Sequence, residues 1–359
     1  TINGSGSATA NNILLRAFFR MGIPVSGKNI FPSNIQGQPT WYSLRLSKDG
    51  YLARLERDDI VVAMNPATIA KEVGFIVPGG VLIYADDIKL TELRPDIIAY
   101  PMPVKQLVKE SEVAPGLRDY IANMVYVGVV GYLLKMPLDV LRQTIEVHFK
   151  GKQKAIEMNQ AAAQAGFDWA STHMPAQQRL KIRRDNKTEG QIIIDGNSAC
   201  AMGALFGGVT VVAWYPITPS SSLVETLIEY GKRHRVDPAT GQTTMAVIQM
   251  EDELASAGVI IGAGWAGARS MTATSGPGIS LMSEFIGLGY FAEIPSVFIN
   301  VARMGPSTGL PTRTSQGDIE LCAKASHGDT LHICLYPGSM EECFQFTYES
   351  FDLAERFQT

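Results

Sequence analysis

The sequence predicts an α/β protein of two doubly wound domains, each a mostly parallel sheet with helices on both faces. Short apolar runs alternate with helical patterns along most of the chain, as in parallel sheets. The 359 residues, 46% of them hydrophobic, suffice for two cores. A stretch rich in Pro, Gln, Arg and Lys interrupts the alternation at residues 173–189. We therefore expect domains over residues 1–175 and 193–359, joined by an exposed linker over 176–192.

The first half begins with a Gly-rich turn at residues 4–6, followed by a helix predicted over residues 8–21 from the spacing of its apolar side chains. Residues 58–64 and 80–85 are predicted to be buried strands, because both are short apolar runs. The most apolar run, residues 121–134, is shorter than the roughly 20 residues that a membrane span needs. It is predicted to be a buried core helix or a subunit-contact helix.

The second half repeats the alternation. A helix is predicted over residues 196–207 and another from about Glu253 onward. The predicted strands of this half are residues 209–214, 245–250, 268–274, 295–300 and 331–335. The last residues look like a helix that leads into another strand, so we expect the sequence to be truncated at its C-terminus.

Composition excludes several classes of protein. The formal net charge of −4, without a cluster of Lys and Arg, offers no footprint for nucleic acid. The first residues lack the pattern of a signal peptide, and no run is long enough to cross a membrane, so we expect a cytoplasmic protein. The sequence also lacks an initiator Met, so a few leading residues are expected to be absent.

The four cysteines include no CxxC pair and have no His-rich partner segment. A zinc site or an iron–sulfur cluster held by this chain alone is therefore not expected. Buried, reduced thiols are the simplest interpretation. The cysteines are Cys200, Cys322, Cys334 and Cys343.

Residues 215–222 (YPITPSSS) follow a predicted strand. In one interpretation, the prolines stiffen a strand-to-helix turn and Ser222 with Glu225 forms a capping box. In the other, the prolines fix Thr218 so that its hydroxyl and nearby amides face a ligand at the helix N-terminus. The residues alone favour the structural interpretation.

Three acids open the helix that follows another strand, in residues 249–258 (QMEDELASAG). Acids there are often only favourable partners of the helix dipole. Glu253, however, begins a helical face that continues with Ala257, Ile261 and Gly262, which are apolar or small. In such a site, burial and its acidic neighbours would raise the pKa of Glu253 and let it hold a proton. Metal binding is a third alternative, but the cluster has no His.

Two further motifs also follow strands: residues 272–278 (TATSGPG) and residues 303–313 (RMGPSTGLPTR). A Gly/Pro turn is common and by itself says little. Arg303 at a strand end is suited to clamp a carboxylate bidentately, or is one more surface charge. Because ligands gather beyond the carboxyl ends of parallel strands, motifs that follow several strands indicate one site.

In series, YPITPSS, EDELASAG, TATSGPG and RMGPSTGLPT resemble the α subunits of 2-oxoacid:ferredoxin oxidoreductases. The N-terminal half resembles the γ domain of these enzymes through its Gly-rich start and residues 35–40 (IQGQPT). The γ-then-α order and GPSTGLPT are most similar to 2-oxoglutarate-type enzymes. The resemblance implies a γ-type domain followed by the pyrimidine-binding domain of a thiamine-diphosphate enzyme.

Members of that family convert a 2-oxoacid, coenzyme A and oxidised ferredoxin into an acyl-CoA, carbon dioxide and reduced ferredoxin. Thiamine diphosphate carries the carbanion chemistry. The resemblance implies 2-oxoglutarate as substrate and succinyl-CoA as product. Pyruvate or a branched-chain 2-oxoacid is the alternative substrate, and a non-catalytic subunit of the same fold is the alternative role.

The resemblance also implies roles for individual residues. Glu253 matches the glutamate that meets the N1′ nitrogen of the aminopyrimidine ring, because it alone of the three acids keeps the spacing to Gly258 and Gly262. Thr218 matches the threonine that contacts substrate and cofactor. Arg303 matches the arginine that holds the 2-oxoacid carboxylate, and Arg313 is a candidate for a second, distal carboxylate. The other implied cofactor contacts are Tyr215, Pro216, Ile217, Thr274, Ser275 and Gly276.

What the motifs lack is also informative. Thiamine-diphosphate enzymes hold magnesium through Gly-Asp-Gly and a later Asn, but neither Gly317-Asp318 nor Gly328-Asp329 is followed by Gly. The resemblance therefore implies no metal ligand in this chain and a β subunit that supplies the diphosphate site, magnesium and a 4Fe–4S cluster, in an (αβ)₂ assembly. The chain alone is expected to be inert.

A nicotinamide-dependent dehydrogenase is the rival enzyme class. Thr9 stands where a dinucleotide fingerprint needs Gly, and residues 22–30 lack the acid that would hold the ribose. The resemblance instead implies that the γ-type domain helps to position coenzyme A.

Overall fold

A computed structural model describes residues 1–32, 37–90, 92–110, 117–175 and 180–359. Its contacts divide the chain into two compact units, Thr1–Ile193 and Ile194–Thr359. We call them the N-terminal unit and the C-terminal unit. No helix of the described residues has the length and apolar character that crossing a membrane requires.

The N-terminal unit contains an antiparallel pair of strands and a parallel sheet of order β3-β4-β5. Its strands are β1 (Val25–Ile30), β2 (Trp41–Leu46), β3 (Asp58–Ala63), β4 (Ile76–Ala85) and β5 (Ile98–Met102). Its helices are α1 (Ser7–Arg20), α2 (Ile69–Gly74), α3 (Val104–Glu110), α4 (Arg118–Leu133), α5 (Leu138–His148) and α6 (Gln153–His173). The predicted helices over residues 8–21 and 121–134 and both predicted strands are confirmed. The antiparallel β1–β2 pair was not predicted.

Helix α4 is at the centre of the N-terminal core. Val125, Val127 and Val129 are fully buried, and α4 packs along α6. The run that is too short for a membrane span is therefore a buried core helix, the first of the two alternatives that the sequence left open.

The segment after residue 180 forms neither helix nor strand up to α7. Most of its side chains are exposed, as expected for the predicted linker. Its backbone, however, bonds to the N-terminal unit: the Asp185 and Lys187 amides donate to the carbonyls of Met21 and Gly22. The domain bounds stay a prediction, and residues 176–179 of the predicted linker and residues 35 and 36 of the γ-type motif lie outside the described residues.

The C-terminal unit is a four-stranded parallel sheet of order β7-β6-β8-β9. Its strands are β6 (Val211–Trp214), β7 (Ala246–Gln249), β8 (Ser270–Thr274) and β9 (Val297–Asn300). Its helices are α7 (Gly196–Phe206), α8 (Ser221–His234), α9 (Glu253–Trp265), α10 (Gly276–Phe291), α11 (Ile319–Ala323) and α12 (Met340–Phe357).

Strand order assigns the helices to the two faces of this sheet. The connection from β6 to β7 runs one way across the sheet, whereas β7 to β8 and β8 to β9 run the other way. Because such crossovers are right-handed, α8 lies on one face and α9 and α10 lie on the other. The buried side chains agree: one cluster joins α7, α8 and α12, and a separate one joins α9 and α10.

One predicted strand is wrong. Residues 331–335 pair with no strand in the described part of the chain. The His332 ring and the Thr330 hydroxyl instead bond to the Ala325 carbonyl, beyond the end of α11. Leu331 is 82% exposed. The alternation of apolar side chains is typical of a strand, but a strand also needs a neighbour to pair with, and the run has none.

Candidate active site

Four loops leave the carboxyl ends of the strands in the C-terminal unit, and each carries one of the predicted motifs. Neighbouring strands β6 and β8 send their chains to helices on opposite faces of the sheet. A crevice forms outside such a pair of strands, and open α/β sheets bind ligands there. Sequence motifs and topology therefore indicate the same edge of the sheet.

Glu253 is the first residue of α9 and is only 7% exposed, whereas Glu251 and Asp252 are exposed. Asp252 caps the helix, because its Oδ1 accepts a hydrogen bond of 2.6 Å from the Ala255 amide. The capped turn directs Glu253 inward, where its Cγ lies 2.9 Å from the position that a Cβ on Gly278 would take. The sequence pattern anticipated this burial.

Among the described residues, no side chain or backbone amide forms a hydrogen bond with the Glu253 carboxylate, and Glu253 is 7% exposed. The positive end of the α9 dipole favours a negative charge at this position. A buried carboxylate without a donor is costly, so the site is suited to a ligand that donates a hydrogen bond.

Arg303 follows β9 and is 5% exposed. Its Nη1 donates to the Thr218 carbonyl oxygen at 2.7 Å, and its Nε is buried without a hydrogen-bond partner. Burial lowers the pKa of the Arg303 guanidinium, and the charges of Glu253 and Asp318 oppose that shift. Arg303 therefore bonds to the loop after β6 and lies within electrostatic range of Glu253 at the start of α9.

In the loop after β6, Thr218 is exposed to solvent, and two hydrogen bonds fix the backbone of the loop. The buried Ser220 donates through its hydroxyl to the Ile217 carbonyl at 2.9 Å, and Asn197 of α7 donates to the Pro219 carbonyl at 2.8 Å. Tyr215 and Pro216 are exposed. The capping box expected at Ser222 is wrong: α8 begins earlier, and the Ser222 hydroxyl accepts from Asn197 at 2.7 Å.

The loop after β8 is the most deeply buried part of the edge. The Ser275 hydroxyl donates to the Val301 carbonyl at 2.9 Å, and the Thr274 hydroxyl is buried without a partner. Gly276 faces the Asp318 carboxylate, whose nearest oxygen lies 2.7 Å from the position a Cβ on that glycine would take. Any larger residue at Gly276 or Gly278 would displace these polar side chains.

Arg313 returns to the backbone of the Arg303 loop. The Met304 amide donates to the Arg313 carbonyl at 2.9 Å, so the two motif ends lie side by side. The Arg313 guanidinium donates to the Thr312 hydroxyl at 3.1 Å. Its backbone is near Arg303, but a role for its side chain toward a ligand stays a prediction.

Two polar residues of this region were not predicted. Asn300 ends β9, and its Nδ2 donates to Asp318 Oδ2 at 3.2 Å and to Cys322 Sγ at 3.4 Å. Its Oδ1 is buried without a partner. Asn300 could have been predicted as a candidate site residue, because it is a polar residue at the end of an otherwise apolar strand. In the sequence, Asp318 stands out only as part of an incomplete metal motif, because Gly317-Asp318 is followed by Ile319 rather than by Gly.

No three His, Cys, Asp or Glu side chains of the described ranges converge on a point where a metal ion could bind. A cleft of about 790 Å³ lies away from these motifs and is lined by Tyr290, Phe291, Leu331 and Phe357, among others. Helix α10 begins at the candidate site and runs across the sheet to this cleft, so the two lie at opposite edges. The polar side chains that converge at the carboxyl ends of the strands, rather than the size of a cleft, mark the candidate site.

Two family models match the chain. The pyruvate ferredoxin/flavodoxin oxidoreductase model matches residues 1–169, and the thiamine-diphosphate-binding model of pyruvate flavodoxin/ferredoxin oxidoreductase matches residues 202–359. The second range contains every candidate site residue.

Individual relatives agree with the models. The α subunit of 2-oxoacid:ferredoxin oxidoreductase 2 from Aeropyrum pernix is 31% identical over 99% of this chain and 62% of its own length. The 2-oxoglutarate synthase subunit KorA from Methanocaldococcus jannaschii is 46% identical, over 46% of this chain and 43% of its own.

A solved structure has a similar fold along the whole chain. The 2-oxoglutarate:ferredoxin oxidoreductase from Magnetococcus marinus, with 2-oxoglutarate, coenzyme A and succinyl-CoA bound, has a TM-score of 0.87 and 30% identity. It covers 100% of this chain and 61% of its own. The chain thus spans about three fifths of the length of its long relatives.

Proposed function

The chain belongs to the pyruvate ferredoxin/flavodoxin oxidoreductase family through both of its matched ranges, and we propose that it carries the γ-type and α-type domains of a 2-oxoacid:ferredoxin oxidoreductase. The observation that carries the proposal is the buried Glu253 carboxylate, without a protein donor, beside the buried and half-paired Arg303. The reaction is the oxidative decarboxylation of a 2-oxoacid with coenzyme A.

The residues present fit the pyrimidine half of thiamine diphosphate. That ring offers a nitrogen that binds a carboxyl group, and Glu253 is a buried carboxylate with no donor from the described chain. The orphaned Thr274 hydroxyl lies beside the Glu253 side chain, around the position of the missing Cβ of Gly278, and adds a second polar atom. When bound, the cofactor supplies the carbanion chemistry of decarboxylation.

Glu253 would hold the ring nitrogen by sharing a proton with it, and burial keeps water from competing for that proton. Tyr215, Pro216 and Ile217, with Thr274, Ser275 and Gly276, are the proposed contacts on either side. All six lie at the carboxyl ends of the neighbouring strands β6 and β8, in residues 215–217 and 274–276.

Arg303 would bind the carboxylate that every 2-oxoacid carries beside its ketone. Its Nη1 is held by the Thr218 carbonyl, so the planar guanidinium has a fixed orientation, and its Nε remains to be paired. A charge-assisted hydrogen bond from a buried guanidinium is strong and directional. The Thr218 hydroxyl, on the exposed side of the same loop, would contact the substrate and the cofactor.

We propose 2-oxoglutarate as the substrate and succinyl-CoA as the product. Support comes from the 2-oxoglutarate synthase subunits among the relatives and from the ligands of the solved relative. Arg313, whose backbone lies beside the Arg303 loop, is the proposed partner of the distal carboxylate.

The partners are also proposals. A β subunit would supply the diphosphate site, magnesium and a 4Fe–4S cluster in an (αβ)₂ assembly, and ferredoxin would accept the electrons. The N-terminal unit would help to position coenzyme A.

The test is a substrate panel on the complex purified with its partner subunit. We expect ferredoxin reduction that depends on coenzyme A, with the highest kcat/KM for 2-oxoglutarate over pyruvate and branched-chain 2-oxoacids. A complex that holds thiamine diphosphate and its cluster but oxidises no 2-oxoacid would refute the proposal. A preference for pyruvate would retain the reaction class and refute only the substrate.

A further inference from the structure

Helices α7 and α12 of the C-terminal unit pack against each other unusually closely. Small residues recur along one face of α7, at Gly196, Cys200, Gly203 and Gly207. A Cβ on Gly203 would lie 2.4 Å from the carbonyl oxygen of Phe344 on α12, which is far inside van der Waals contact. The glycines therefore let the two helix backbones approach each other directly.

The one cysteine of the α7 face meets the one cysteine of α12. Cys343 Sγ lies 3.5 Å from the position that a Cβ on Gly196 would take, and Cys200 is one helical turn further along the same face. Thr347, one turn beyond Cys343, lies beside Gly203, 2.9 Å from the position of its missing Cβ. Cys200 is thus placed between Cys343 and Thr347, and both cysteines are partly accessible to solvent.

The two thiols interact. A hydrogen bond from Cys343 lowers the pKa of Cys200 to about 7, with burial opposing the shift and the Thr347 hydroxyl supporting it. The same contact raises the pKa of Cys343. Cys200 is therefore the member of the pair that ionises more readily, and the thiolate is the reactive form of cysteine.

A disulfide needs Cα atoms about 4.4–6.8 Å apart. Because Cα atoms lie about 2.3 Å from a helix axis, facing residues of two closely packed helices reach that range. The glycine face of α7 removes the side chains that would otherwise hold the helices apart. The other two cysteines have different surroundings: Cys322 accepts a hydrogen bond from Asn300, and Cys322 and Cys334 both raise the pKa of Tyr336.

We propose that Cys200 and Cys343 are a redox modification site, at which a hydroperoxide converts the thiol pair into a reversible disulfide between α7 and α12. The Cys200 thiolate attacks one peroxide oxygen, the O–O bond breaks, and a sulfenic acid forms while the other oxygen leaves as an alcohol or as water. The Cys343 thiol then attacks the Cys200 sulfur and displaces the hydroxyl as water. The two sulfurs lose two electrons and two protons, the peroxide gains them, and a dithiol reverses the change.

The experiment treats the purified complex with hydrogen peroxide, blocks free thiols, digests the protein after glutamate and analyses the peptides by mass spectrometry. Cleavage after Glu342 separates Cys343 from Cys334, and Cys200 lies on a peptide of its own, residues 190–225. A Cys200–Cys343 link is therefore distinguished from any link to the peptide that carries both Cys322 and Cys334. We expect a cross-linked Cys200–Cys343 peptide pair, lighter than its two thiol peptides by two hydrogens, about 2 Da. Dithiothreitol should restore both thiols.

Two variants distinguish this pair from general oxidation. In Cys343→Ser, Cys200 should stop at the sulfenic acid or oxidise further, because its resolving partner is gone. In the matched control Cys334→Ser, which removes another partly buried cysteine of this unit, the Cys200–Cys343 cross-link should form as before. Free thiols at both positions after treatment, or cross-links spread evenly over all four cysteines, would overturn the proposal.

Discussion

Glu253 is a charged residue in a position where an unpaired charge is costly. It is only 7% exposed and packs among apolar side chains that are almost fully buried. The α9 dipole offsets part of the cost, but the described chain offers its carboxylate no donor. Such a group is retained for a ligand more readily than for stability, because an apolar residue would fill the space at lower free energy.

Glu253→Gln should leave folding and subunit assembly intact and lower kcat by about 10²–10⁴-fold, because an amide cannot share a proton as a carboxyl group does. Steady-state kinetics of the purified complex measures the change. Glu251→Gln is the matched control, since Glu251 precedes the same helix but is exposed, and it should retain activity. Full activity in Glu253→Gln, or an equal loss in both variants, would remove Glu253 from the role proposed here.

The two arginines should differ in what they recognise. Arg303→Ala should weaken binding of every 2-oxoacid, because all of them share the carboxylate beside the ketone. Arg313→Ala should weaken only substrates with a second carboxylate, by about 1.5–3 kcal/mol, or roughly ten- to a hundred-fold in affinity.

Comparing KM for 2-oxoglutarate and for 2-oxobutyrate in the two variants separates these effects. If Arg313→Ala changes KM for both substrates equally, Arg313 does not bind the distal carboxylate. Arg303→Lys adds a control that keeps the charge but loses the planar donor pair, and it should recover only part of the affinity.

The start of α9 connects local helix chemistry to the site. Asp252 satisfies the Ala255 amide and orients the first turn, so that the next side chain is directed inward. The function of Glu253 should therefore depend on a neighbour that touches no ligand.

Asp252→Ala should lower the free energy of unfolding by about 1 kcal/mol, the usual effect of losing an N-cap, and should also lower kcat. Ser339→Ala removes the equivalent cap of α12, where the Ser339 hydroxyl accepts from the Glu342 amide at 3.1 Å. It should cost similar stability without loss of kcat. Urea unfolding and kinetics on both variants test this, and an equal loss of kcat in the two would mean that the cap acts only through stability.

At the scale of helices and strands, local sequence patterns predict where an element lies but not which strand it pairs with. The strands β6 to β9, the helix α7 and the start of α9 were predicted to within a few residues, because each has a clear period or a turn or cap at its end. The run 331–335 has the period of a strand but no partner strand, and pairing is a property of two segments. The same applies to β1 and β2, whose antiparallel pairing no pattern in either segment specified.

For the molecule as a whole, the proposed split of the active site makes a direct prediction. The chain without a partner should turn over no 2-oxoacid, even with thiamine diphosphate and magnesium present, because the proposed diphosphate, magnesium and cluster sites lie elsewhere. Adding the partner subunit should restore ferredoxin reduction, which should saturate at equal amounts of the two chains. Turnover by the chain alone would refute the split.

The sequence by itself determined the α/β class, the order of the elements around the site and the position of each polar motif at the end of a strand. These features depend on periodicity and on turn and cap residues within about a dozen positions, which are local properties. The resemblance of four consecutive motifs to one family rests on the same local information, and the family was confirmed.

Only the tertiary structure decided which groups meet. Arg303 donates to the carbonyl of Thr218, 85 positions earlier. Asn300 bonds to Asp318, and Cys200 approaches Cys343. Each contact joins different loops or helices, so it depends on strand order, crossover direction and the close packing that particular glycines permit. These are relations between segments, and no periodicity within one segment encodes them.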